Sequence, residues 1–249
     1  MYRVLLTKGV QPNTKYLGYL QSRNALQRAK HDSLKEFASL TSSTLVEDWD
    51  KNVTHVIVGG NADIACGRSY AVLMAILSGI WVVIARWIVD FLVEPIPLPE
   101  TPYEMTFYGG SHTLIYGATK GRARAAEGAP KLFSGLNFCF SDYLHVEDLE
   151  EFQNLIAAGG GLALQGVSPD SLPEIRSRIP GKVYYIYHGG PPRNSTWYFK
   201  DVHQNQMEES VEYGKSGAQV ISHLKLYDAI LSYDARILEP GRSFTNICE

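Results

Sequence analysis

Side chains able to do covalent or metal chemistry are scattered through this 249-residue chain, not grouped. Cys66, Cys139 and Cys248 are too few and too far apart for a disulfide framework or a zinc site. None of the seven histidines falls at ligand spacing with a cysteine or carboxylate. The chain has no glycine-rich phosphate loop, no dinucleotide fingerprint and no nucleophile elbow. Glu147, Asp148, Glu150 and Glu151 read as the solvated start of a helix, where the dipole favours acids. No cofactor, no metal and no catalytic residue is implied. What stands out is Arg68-Ser69, directly ahead of the apolar run YAVLMAILS. A serine there is a side-chain N-cap. A helix N-terminus is equally a place to hold an anion. Both readings stand at this point.

The elements around that pair are unusually plain. Thr54 to Val58 is a β-branched run ending in Gly59-Gly60, which predicts a buried strand. Ser69 and Gly79 bracket a helix over the apolar run. Trp81 to Ala85 predicts a second strand, and Arg86 to Val93 a second helix with Trp87, Ile88, Phe91 and Leu92 inward. Strand, helix, strand, helix, all apolar, is the pattern of a parallel sheet covered on both faces.

Upstream, residues 3–7 predict a first strand, and Asn13 or Thr14 caps a helix running to about Leu40. Thr44 to Val46 predicts a short strand. Pro95 to Pro102 closes this unit. A second unit opens at Lys131. It has predicted strands at Leu136–Phe140, Leu162–Leu164, Val183–Tyr187 and Val220–Ile221. Glu147–Ala158 and a segment from Ser222 to Tyr233 predict helices. Residues 166–181 and the stretch HGGPPRNS read as loops, and the tail after Ile237 reads as disordered.

Length and composition fit one large or two small soluble domains. Residues 1–125 carry a net charge of +3 and the remainder −6. That suits an acidic peptide better than nucleic acid, which wants a clustered basic face. No apolar run is long enough to cross a bilayer.

Thr54-His55-Val56-Ile57, Cys66-Gly67-Arg68-Ser69, Leu73 to Gly79, Trp81-Val82-Val83 and Trp87 together resemble a BRCT repeat. The likeness runs without gaps from Thr54 to Glu94. Glu100 to Met105 and the stretch from Gly121 resemble the exit and inter-repeat segments of plant tandem BRCT proteins. The resemblance implies an α/β fold of two tandem BRCT repeats, each a small four-stranded parallel sheet flanked by helices. It divides the chain into a first repeat (1–104), an inter-repeat linker (105–130), a second repeat (131–240) and a tail (241–249). The repeats are expected to pack through the helix at 70–78. The second half resembles the family less, and the signature tryptophan of its last helix falls on Lys225. His55 is structural in the family.

The resemblance further implies a non-catalytic reader of phosphoserine peptides in the nuclear DNA-damage response. In such pairs the phosphate sits at the first repeat. A hydroxyl and a backbone N–H at the end of the first strand hold it, with a hydroxyl and a lysine at the start of the second helix. Thr7 and Ser69 take the hydroxyl positions, and Lys8 or Gly9 the backbone donor. The lysine position holds Ala71, so the cation is expected from Lys8 or Lys15. Arg68 is expected to bind the carboxylate of a peptide ending three residues after the phosphoserine, because its planar fork matches that group. Leu73, Val146, Glu147 and Tyr227 are expected to line that pocket. The implied ligand is the C-terminal tail of the damage-phosphorylated X-variant histone. The alternatives are an internal phosphoserine motif in a repair protein and a phosphate-blind scaffold, which Ala71 favours. Neither a membrane nor direct contact with nucleic acid is expected. A catalytic domain elsewhere in a longer protein is compatible with all of these.

Overall fold

The computed structural model describes residues 15–19, 25–46, 48–59, 68–94, 96–108, 114–189 and 197–242. The chain divides into two compact units, Met1–Glu127 and Gly128–Glu249.

In the first unit β1 (Lys15–Tyr19), α1 (Ala25–Thr41), β2 (Thr44–Val46) and β3 (His55–Val58) are followed by α2 (Tyr70–Ser78), β4 (Trp81–Ile84) and α3 (Arg86–Val93). The strands form one parallel sheet in the order β2-β1-β3-β4, with Tyr19 opposite Val58 and Val58 opposite Ile84. Ile57 and Val83 pack against Leu34 and Phe37 of α1 and Trp87, Ile88 and Phe91 of α3. Phe37 meets Phe91 edge to face, with centroids 4.9 Å apart. Strand residues alternate between faces, so Val56 and Val82 point the other way, where α2 lies. Ala71 to Leu77 are all buried. A helix apolar on every side belongs in that position, covered by the sheet below and by further structure above.

The sequence places the first strand at 3–7 and a helix from 13 or 14 onward, and the sheet corrects the second of these. Residues 3–7 lie outside the described residues. The central place, between β2 and β3, is taken by Lys15–Tyr19, and α1 begins only at Ala25. KYLGY, with two tyrosines and a helix-weakening glycine, pairs on both edges, and pairing decides a strand where local propensity does not.

Most of the stretch read as a linker is part of the first unit. β5 (Phe107–Tyr108) and β6 (Leu114–Ile115) form an antiparallel pair, and α4 (Gly117–Ala126) packs on α2. Gly79 closes α2 at φ +67°, and a Cβ there would collide with Ala125 of α4. Arg122 of α4 lies 3.7 Å over the Trp81 ring and pairs with Glu104 at 2.9 Å.

The second unit repeats the plan. β7 (Asn137–Phe140), α5 (Val146–Ala158), β8 (Leu162–Ala163), α6 (Leu172–Arg178), β9 (Val183–Tyr187), α7 (Trp197–Lys215), β10 (Gln219–Ser222) and α8 (His223–Ser232) build a parallel sheet in the order β10-β9-β7-β8. Here too the sequence reading needs correcting. α6 occupies the expected loop at 166–181. The nineteen-residue α7 fills a stretch to which no element was assigned. Its buried positions include Gln206, Ser210 and Tyr213, spaced four and three apart. The spacing is helical, but the residues are polar, so no apolar stripe announces them. The tail is corrected as well: Ile237 and Leu238 are buried in a 3-10 turn, and the chain is described to Arg242.

Candidate functional site

In a parallel sheet, ligands meet the chain where strands end and helices begin. α2 connects β3 to the parallel β4, so it runs back along the sheet. Its N-terminus therefore lies at the C-terminal edge, where β1 ends at Tyr19 and β3 at Val58. Ser69 is the N-cap residue, with φ −72° and ψ 143°. Its carbonyl accepts from Leu73 N–H at 3.0 Å. Its hydroxyl does not cap the helix. That oxygen is shielded from solvent and meets no hydrogen-bond partner among the described residues. This corrects the capping reading: the fold places a hydroxyl at a helix N-terminus and leaves it without a capping bond. A buried polar group without a partner costs about 1–3 kcal/mol, and native folds hold few of them.

Arg68, half-buried, directly precedes this hydroxyl. Ala71 is buried in the first turn and offers no donor. Leu73 has no exposed surface and helps to hold α2 in place. Lys15 starts β1 beside Thr44, about 13 Å along the strand from its end at Tyr19. Thr7, Lys8 and Gly9 lie outside the described residues.

Other candidates resolve into structural roles. His55 stacks on Trp87 at 5.4 Å, bonds to Thr54 through Nδ1 and meets Glu100 at 3.3 Å through Nε2. Burial works to raise the Glu100 pKa, but the His55 contact and a backbone bond outweigh it and the net shift is downward. Cys139 donates to the Tyr184 carbonyl, and burial pushes its thiol up to about 12. Among the described residues no group of histidines, cysteines and carboxylates could hold a metal, and no helix is long and apolar enough to cross a membrane.

Residues 24–92 match the family of the BRCA1 C Terminus (BRCT) domain. The chain is 38% identical over 128 residues to the Arabidopsis thaliana Protein BREAST CANCER SUSCEPTIBILITY 1 homolog, covering 51% of this chain and 13% of that protein. It is 26% identical over 215 residues to the Arabidopsis thaliana BRCA1-associated RING domain protein 1, covering 84% of this chain and 30% of that one. The chain thus spans less than a third of either relative. Among solved structures, the S. pombe Brc1 BRCT5-BRCT6 domains superpose with a TM-score of 0.55 at 16% identity, over 92% of this chain and 96% of that one. A complex of Rtt107p with a phosphorylated histone gives a TM-score of 0.50 at 10% identity, covering 94% and 91%.

Residues 24–92 are a BRCT domain, and the chain as a whole has the fold of tandem BRCT structures.

The two BRCT repeats solve one problem with different chemistry. In the first, Trp87 Nε1 donates to the Leu98 carbonyl at 3.2 Å and pins the segment leaving α3. In the second, Lys225 Nζ donates to the Glu239 carbonyl at 2.7 Å and pins the segment leaving α8. Lys225 thus makes in the second unit the kind of bond to the departing chain that Trp87 makes in the first. Of the pocket residues expected in this repeat, Val146 is 70% exposed and Glu147 is exposed, both in the first turn of α5. Tyr227 of α8 lies 6.0 Å from the Phe152 ring of α5 and 5.3 Å from His223. His188 stacks on His223 at 4.2 Å. Nothing in the sequence announces that pair, since the two residues are far apart in the chain.

Proposed function

We propose that this BRCT pair is a non-catalytic, nuclear reader of phosphoserine peptides in the DNA-damage response, and that its first repeat takes the phosphate at the N-terminus of α2. The Ser69 hydroxyl carries this reading, because it is buried, without a bond among the described residues, and set at a positive helix end. A phosphoserine brings about −1.5 to −2 charges and three acceptor oxygens, which is what such a hydroxyl lacks. Arg68 reads the far end of the peptide through a free carboxylate three residues beyond the phosphoserine. The ligand is the C-terminal tail of the damage-phosphorylated X-variant histone. The BRCT fold shared with the Rtt107p complex of a phosphorylated histone supports the choice of a histone peptide.

Ala71 favours a second reading, a phosphate-blind docking scaffold, since no lysine stands in the first turn of α2. Calorimetric titration with the tail peptide in phosphorylated and unphosphorylated forms separates the two: the reader discriminates and the scaffold does not. The same titration with a C-terminally amidated phosphopeptide tests Arg68. Amidation is expected to cost the wild type about 1.5–3 kcal/mol, the scale of a charge-assisted bond, and to cost Arg68→Ala little. Equal losses in both proteins would remove Arg68 from the peptide.

A further inference from the structure

The second repeat holds a cluster of anion donors of its own, and its own carboxylate fills it. Ser141 follows β7 directly and is 3% exposed. Its hydroxyl donates to Glu209 Oε2 at 2.6 Å. Tyr185, fully buried in the middle of β9, donates its phenol to the same oxygen at 2.6 Å. The Asp142 backbone N–H reaches Glu209 Oε1 at 3.3 Å. Tyr143 N–H donates to the Ser141 oxygen at 3.2 Å, which leaves the Ser141 proton for the carboxylate. The two short bonds have the length of hydroxyls donating to an ionised oxygen. Burial, and next the bond to Glu209, push the Tyr185 pKa up, so the phenol stays protonated as a donor.

The position follows from topology. β7 lies between β8 and β9 as β1 lies between β2 and β3. Ser141 thus stands at the strand end that corresponds to the end of β1 at Tyr19. α7 and α2 are the equivalent connections, but their lengths differ. The nine residues of α2 span about 13 Å, near the depth of the sheet. The nineteen residues of α7 span about 28 Å and run past the strand ends, which brings Glu209 over the edge.

We propose that the second repeat has a carboxylate site at the end of β7, formed by Ser141 Oγ, Tyr185 OH and the Asp142 N–H, which Glu209 occupies from within and so closes to outside ligands. The site takes a monoanionic carboxylate and rejects phosphate. Its donors are all neutral, and Asp142, Glu208 and Glu212 line the groove beside it, so a second negative charge would meet repulsion without a counter-ion. This inference does not depend on the reading of the first repeat.

The test is chemical rescue of the whole chain. Glu209→Ala is expected to lower the melting temperature by roughly 5–10 °C, because two buried hydroxyls lose their acceptor. Acetate at tens of millimolar should recover at least half of that fall, and inorganic phosphate at matched ionic strength much less. The acetate response should vanish in Ser141→Ala/Glu209→Ala. An equal acetate effect on wild type and both variants, or recovery by phosphate as good as by acetate, would overturn the proposal. If Glu209→Ala does not fold, a double-mutant cycle of Ser141→Ala with Glu209→Gln decides the matter. Strong non-additivity is expected, and additivity contradicts the site.

Discussion

Ser69 shows how one residue can look alike in two roles and be told apart by its bonds. The sequence supplies a serine before an apolar helix, and a serine there caps. The hydroxyl makes no capping bond. This has a consequence for stability. Loss of a working serine cap costs about 1 kcal/mol. Ser69→Ala is therefore expected to leave the free energy of urea unfolding unchanged or to raise it, by up to about 1–3 kcal/mol, since no cap is lost and a shielded polar atom without a partner among the described residues is removed. A loss of a full kcal/mol would return Ser69 to the capping role. Lys225 teaches the converse lesson. By residue type it departs from the family tryptophan, yet its ammonium donates to a carbonyl beyond the helix as the indole does.

At the scale of elements, legibility tracked apolar pattern. α2 and α3 were readable to the residue, because apolar runs bracketed by Ser69, Gly79 and Arg86 leave one solution. β1 and α7 were not. β1 is chosen by its neighbours in the sheet, which no local propensity reports. α7 turns Gln206, Ser210 and Tyr213 inward, so its buried face reads as polar. The stretch from Gly121 was legible as an inter-repeat segment, but the partner of α4 was not. Arg122 joins Glu104, far back in the chain, to the Trp81 ring. Glu104 is only 5% exposed. Arg122→Ala would leave that carboxylate buried and without its counter-charge, which costs about 3 kcal/mol when a buried pair is broken from one side. Arg122→Lys keeps the charge but loses the two-bond fork, and is expected to cost clearly less. Chemical denaturation of the two variants measures both. Equal, negligible effects would mean that water replaces the arginine and that α4 is held by its apolar contacts alone.

At the scale of the molecule, two sheets of the same topology carry unlike strand ends. The first repeat sets a hydroxyl with no partner among the described residues at the start of a short helix. The second covers the matching edge with a long helix and its own carboxylate. That asymmetry, and not net charge or composition, is what supports a single phosphate site per chain. The most direct test is a four-way titration: wild type and Ser69→Ala, each with the histone-tail peptide phosphorylated and unphosphorylated. The account predicts that the wild type prefers the phosphorylated form. It predicts further that Ser69→Ala loses about 1.5–3 kcal/mol of that preference, as removal of one hydrogen bond to a charged group does, while affinity for the unphosphorylated peptide stays unchanged. Equal affinity of the wild type for both peptides would contradict it.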